Sequence, residues 1–114
     1  MKKILLVIGL ILMSGQSVYA TPTGNELVNQ WKEYQMSEAE QAYSSLKVGF
    51  YIGYVSGVSD TGNGRWCFLP TGITTGQLCS VVGKWIEDHP ERWTDRPFTI
   101  VTTALRKAFP LPKK

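Results

Sequence analysis

Residues 1–20 constrain this chain more than any other stretch, because they set how much sequence is left to fold and where. Lys2 and Lys3 give a charged start, residues 4–13 are apolar throughout apart from Gly9, and Val18-Tyr19-Ala20 places small residues before a cut. That is the layout of a secretory signal peptide. The apolar run is about half of what a bilayer-spanning helix needs. The expectation is cleavage after Ala20, export to the periplasm, and no membrane attachment afterwards. The domain division is therefore 1–20 as signal and 21–114 as one small domain. A core of that size is marginal without a covalent staple or a partner.

Removal of Lys2 and Lys3 also changes the charge. Twelve basic residues become ten, against nine acidic ones, so the remaining chain is near +1. No basic run lies among the folded segments, and nucleic-acid binding has no support. The cysteines are Cys67 and Cys79, twelve apart. In an oxidising compartment the simplest expectation is that they pair, which would stabilise a short loop by about 2–3 kcal/mol. The alternatives are two free buried thiols or a bridge between subunits. Two cysteines and one histidine lack the ligand count for a zinc site, and no cofactor is implied.

The pattern reads as four helices, an all-α bundle with one long loop between the second and third. Thr23 and Glu26 have capping-box spacing, and Leu27, Val28, Trp31 and Tyr34 follow at helical intervals. A break is expected at Gln35-Met36, with a second helix opening at Ser37 and running through Ala42, Leu46, Phe50 and Gly53 towards Gly57. Gly49, Gly53 and Gly57 lie four apart on one face. Each glycine costs a helix interior about 1 kcal/mol, so another helix is expected close against them. Residues 59–73, rich in glycine, asparagine and proline, read as the long loop. A third helix opens with a Thr74–Gln77 capping box, buries Leu78, Val81, Val82, Trp85 and Ile86, and ends before Pro90. The fourth starts at Thr94 or Asp95, with Pro97 in its first turn and Phe98, Val101, Leu105 and Ala108 facing the core.

Catalytic signals are sparse. His89, the single histidine, precedes a proline at a helix end and reads as a cap. A Cys67–His89 nucleophile pair has no family signature. Gly62-Asn63-Gly64 is a turn without the lysine-bearing helix of a phosphate loop. The reading is a binding protein, not an enzyme. Arg65 and Trp66 near the loop apex are residue types favoured at interfaces, although Trp66 reads equally well as a lid folded onto the core. Glu87 and Asp88 sit at the end of a helix that disfavours negative charge, where Arg92, Arg96 or a basic partner surface would offset them.

Four segments in order carry a resemblance. They are Gly24-Asn25-Glu26-Leu27, the run 53–60 (GYVSGVSD), the stretch 77–91 with Val81-Val82 and His89-Pro90, and the run 104–110 (ALRKAFP). With the signal peptide, they resemble the Rap/Tai family of type VI secretion immunity proteins. The resemblance implies an all-α periplasmic protein, in some members a homodimer. Its partner would be a cognate secreted peptidoglycan amidase, blocked by an exposed loop in the toxin's cleft. It also implies specificity on variable loops: Asp60, Asn63, Arg65 and Trp66 first, then Glu87, Asp88 and Arg92. Family members commonly carry cysteines near positions 31, 51 and 111, where this chain has Trp31, Tyr51 and Leu111. Cys67 matches and Cys79 is additional, which a rewired Cys67–Cys79 bridge would explain. Two rival readings remain: a periplasmic helical chaperone similar to the acid-stress chaperones of the HdeA type, and a small hydrolase or redox protein using a free thiol.

Overall fold

Among the described residues, hydroxyl caps decide where three of the four helices begin. In the computed structural model, which describes residues 23–113, Thr23 accepts a hydrogen bond from the Glu26 amide at 3.2 Å and opens α1, Gly24–Glu38. Ser44 does the same for Lys47 at 3.3 Å and opens α2, Ser45–Gly62. Thr74 and Gln77 form the full reciprocal capping box of α3, Thr75–Asp88, at 3.1 and 2.8 Å. A 3₁₀ turn, Pro90–Arg92, leads towards α4, Pro97–Ala108, which has proline in its first turn and no side-chain cap. The expected signal peptide and its cleavage point lie outside the described residues.

The break expected at Gln35-Met36 does not occur. Ser37 lies inside α1 and donates its hydroxyl to the Tyr34 carbonyl at 2.7 Å, so it is not available as a cap. The helix instead ends in a Schellman motif. The Glu40 amide donates to the Ser37 carbonyl and the Gln41 amide to the Met36 carbonyl, with Glu40 at φ +57°. Ser44 then starts α2, its own amide held by the Glu33 carboxylate at 2.9 Å.

α2 packs against each of the other three helices. Its buried face is Val48, Tyr51, Val55, Val58, Ser59 and Gly62. Leu46, Phe50 and Gly53, which the sequence placed along this helix, point to solvent. Apolar residues on both sides of this helix make the two registers hard to separate by pattern alone. Among the described residues, no helix makes the close approach expected at Gly49, Gly53 and Gly57. The close contact falls at Gly83 of α3, where a β-carbon would strike the Trp31 ring of α1.

The centre of the bundle is aromatic. Trp31, Tyr34 and Tyr51 lie with ring centroids 5.5–5.7 Å apart. The fully buried Tyr51 hydroxyl donates to the Cys79 carbonyl at 2.7 Å, tying α2 to α3. From α4 the core receives Ile100, Val101, Ala104 and Leu105. Phe98 and Ala108, expected in that face, are exposed. Pro97 is buried in the first turn and Phe98 turns outward beside it.

Candidate functional site

The loop is shorter and more ordered than its composition suggests. α2 continues through Gly62, so Asp60 is an exposed residue of the last helical turn and the connection runs over 63–74. It begins with a tight knot. The amides of Arg65, Trp66 and Cys67 all point at the Gly62 carbonyl, at 2.9, 3.0 and 3.3 Å, and the Gly64 amide donates to the Cys67 carbonyl at 2.8 Å. Gly64 adopts φ +83°, a conformation glycine reaches without strain. Asn63 is spent on structure: its side-chain oxygen accepts from the Leu69 amide at 2.9 Å. Phe68 is fixed to the end of α4 through a backbone bond to the Phe109 carbonyl at 3.0 Å.

This knot presents some side chains and uses others. Arg65 is exposed at the apex, and Phe68 stands 55 % exposed just beyond it. Trp66 is half-buried, its indole lying where a side chain on Gly62 would stand. The same ring, with Phe98, Thr102 and Arg106, lines a pocket of about 150 Å³. Trp66 is thus a brace of the turn and one wall of a small surface pocket. Phe68, Phe98 and Arg106 were not among the site residues the sequence pointed to, and Phe98 was expected in the core. Nothing in the spacing marks Phe98, which fits the helical stripe of α4 as well as a core residue would.

The second expected cluster sits at the opposite end of α3 from this loop, and it is tied internally. Glu87 accepts from the Trp31 indole N–H at 3.0 Å and from Gln35 at 2.7 Å, joining α3 to α1. Asp88 faces Lys84 at 3.6 Å, one turn back on an exposed surface. Arg92 pairs with Asp95 at 2.5 Å and lies 5.7 Å over the Trp85 ring. The structure therefore gathers Asp60, Asn63, Arg65 and Trp66 into one unit and places Glu87, Asp88 and Arg92 elsewhere.

Cys67 and Cys79 are both buried and unbonded, so the expected bridge is absent. Cys79 belongs to the main core under Tyr51, whereas Cys67 is enclosed by the turn after α2, outside that cluster. Burial pushes both thiols up, Cys79 to about 11 with a smaller contribution from the Glu38 charge. A thiol held protonated and out of solvent is a poor nucleophile. His89 is likewise occupied, its Nδ1 2.8 Å from the Trp85 carbonyl and its ring stacked on Trp85 at 4.2 Å. Among the described residues, no group of three or more His, Cys, Asp or Glu side chains is placed to hold a metal, and no helix is long and apolar enough to cross a membrane.

A family model described as Rap1a immunity proteins matches residues 23–111, which takes in all four helices and the loop. No curated protein and no solved structure matches the chain.

Proposed function

The chain belongs to the Rap1a immunity protein family, and from that premise we propose that it is a periplasmic immunity protein. Its partner would be a peptidoglycan amidase toxin delivered by a type VI secretion system, occluded at its catalytic cleft by the loop after α2. The observation that carries this reading is the exposed apex, held by backbone hydrogen bonds. Arg65 projects from a turn held by converging backbone bonds on the Gly62 carbonyl. A protruding element that enters a cleft binds best when it is ordered beforehand, because little conformational freedom is then lost. Arg65 supplies charge and reach, Phe68 exposed apolar surface, and Asp60 an acidic flank. Blocking a cleft requires no chemistry from the blocker, which agrees with thiols and a histidine engaged in packing.

The test is reconstitution. The chain is mixed with the peptidoglycan amidase effectors secreted by its own source bacterium, and amidase activity and complex stoichiometry are followed together. Stoichiometric binding with loss of activity is the expected result. Failure to bind any of them, or binding that leaves hydrolysis unchanged, would overturn the occlusion mechanism.

A further inference from the structure

The small pocket at the Trp66 turn joins aromatic walls to a cation. Phe98, Thr102 and Arg106 follow one another at intervals of one turn along α4, and with Trp66 they line it. Phe98 is 53 % exposed, an aromatic that the core leaves outside. The volume, about 150 Å³, is close to that of an apolar cavity that admits benzene. Arg106 is exposed and forms no ion pair among the described residues. The Trp66 indole N–H has no acceptor among them either, whereas those of Trp31 and Trp93 are both bonded. Thr102 spends its hydroxyl proton on the Thr99 carbonyl at 3.2 Å, so the free donors are Arg106 and Trp66. The charge on the two contributing elements has one sign. Residues 63–74 and α4 carry Arg65, Arg106 and Lys107 and no acid. Asp60, the nearest acid in sequence to Trp66, is exposed on the last turn of α2 and does not line the pocket.

We propose that this pocket binds a small aromatic carboxylate, its ring against Trp66 and Phe98 and its carboxylate on Arg106. Each part of that ligand answers a named group. Two aromatic side chains favour a ring, through offset or edge-to-face packing. A guanidinium presents a planar fork that matches a carboxylate with two parallel hydrogen bonds. The further positive charges of Arg65 and Lys107 on the same two elements favour an anion over a neutral or cationic ring. Apolar walls with a few polar groups that fix orientation are the usual build of a small-molecule site. The ligand is a free acid and not the end of a peptide, because the turn has no backbone donor to offer a second chain. The amides of Arg65, Trp66 and Cys67 are spent on the Gly62 carbonyl, that of Gly64 on Cys67 and that of Phe68 on Phe109. Arg65 does not line the pocket, and the inference stands independently of the toxin-blocking reading.

Titration of the purified chain with phenylacetate, followed by nitrogen–proton correlation NMR, tests it. The Trp66 indole N–H resonance, identified by its loss in Trp66→Phe, should move and saturate. Phenylacetamide, which keeps the ring and loses the charge, and acetate, which keeps the charge and loses the ring, should each bind at least about tenfold more weakly. Arg106→Gln should lower the affinity for phenylacetate at least about tenfold, the loss expected of a charge-assisted hydrogen bond. Phe98→Ala should weaken it too. Both positions are exposed, so the melting temperature should stay with the parent's in either variant. No saturable movement of the Trp66 resonance up to the solubility limit of the acid would overturn the proposal. So would phenylacetamide binding as tightly as phenylacetate, undiminished binding by Arg106→Gln, or movement confined to resonances away from the pocket. A short peptide ending in phenylalanine that binds far more tightly than phenylacetate would also overturn it, assigning the pocket to a chain terminus.

Discussion

The indole of Trp31 fills the space in which a side chain at position 83 would stand, and its N–H is held by Glu87 one helical turn further along α3. One residue of α1 thus reads two positions of α3, a glycine that must stay small and an acid that must accept. Gly83→Ala would drive a methyl group into a ring that is itself buried. Overpacking of this kind costs about 1–3 kcal/mol. Chemical denaturation should show a lower midpoint at unchanged slope, and a stability equal to the parent's would mean that Trp31 is free to move aside.

Glu87 offers a sharper test, because the sequence suggested a partner-facing role and the structure gives it an internal one. Glu87→Ala leaves the half-buried indole N–H without its acceptor, and an unpaired donor of this kind costs about 1–3 kcal/mol. Glu87→Gln keeps an oxygen in place and should cost less than half as much. If Glu87 served only a partner, both variants would unfold like the parent and would differ in toxin binding alone.

These residues also show what was legible in the chain and what was not. The caps at Thr23 and Thr74 were readable because a hydroxyl three residues before Glu26 or Gln77 has a direct physical meaning. The cores of α1 and α3 were readable because most of their apolar residues occupy one face, although Val81, expected in the stripe of α3, is only half-buried. α2 misled because Leu46 and Phe50 on one side compete with Val48, Tyr51 and Val55 on the other, and only the third dimension decides which side is buried. The pairing of Cys67 with Cys79 rested on compartment and count, which say nothing about whether two buried sulfurs face each other. At the site, the glycine-rich composition located the turn but not its knot. Trp66 bracing Gly62 is a contact between residues four apart that no pattern announces.

Glu40 holds a left-handed conformation at the position of the Schellman motif that glycine usually fills. A non-glycine residue there carries a steric cost of about 1 kcal/mol. Glu40→Gly should therefore stabilise the chain by about that much, seen as a higher melting temperature. A loss of stability would show that the Glu40 side chain or the stiffness of the unfolded chain outweighs the backbone term.

The thiols predict an alkaline limb. Cys79 is raised by burial and then by Glu38 from 9.0 to about 11, and Cys67 is raised by burial too. A raised folded-state value means that the native protein keeps a proton the unfolded chain gives up. That stability is fully present below about pH 9 and is lost as pH rises towards about 11, by about 2–3 kcal/mol for Cys79. Tyr51, also raised by burial, adds in the same direction. Denaturation at stepped pH should show the decline, and Cys79→Ala should flatten it. A thiol reagent should find two groups per chain after unfolding and react slowly before it, whereas none after unfolding would establish a disulfide and remove the alkaline effect assigned to Cys79.

The loop separates a contact residue from a supporting one. Arg65 is exposed and its side chain takes no part in the knot, which is built from backbone groups. Arg65→Ala should leave the melting temperature within error of the parent and weaken toxin binding by about 2 kcal/mol or more, the size of a central interface anchor. Trp66→Ala should do two things together. It removes the ring that rests on Gly62 and lines the pocket with Phe98, so stability should fall by about 2 kcal/mol, and binding should fall because the apex is no longer held. Calorimetric titration beside thermal unfolding distinguishes the two variants. Lost binding with an intact fold at Arg65 fits the apex as the toxin contact. If Arg65→Ala binds as the parent does while Trp66→Ala loses both properties, the turn is a structural element and the toxin contact lies on another surface.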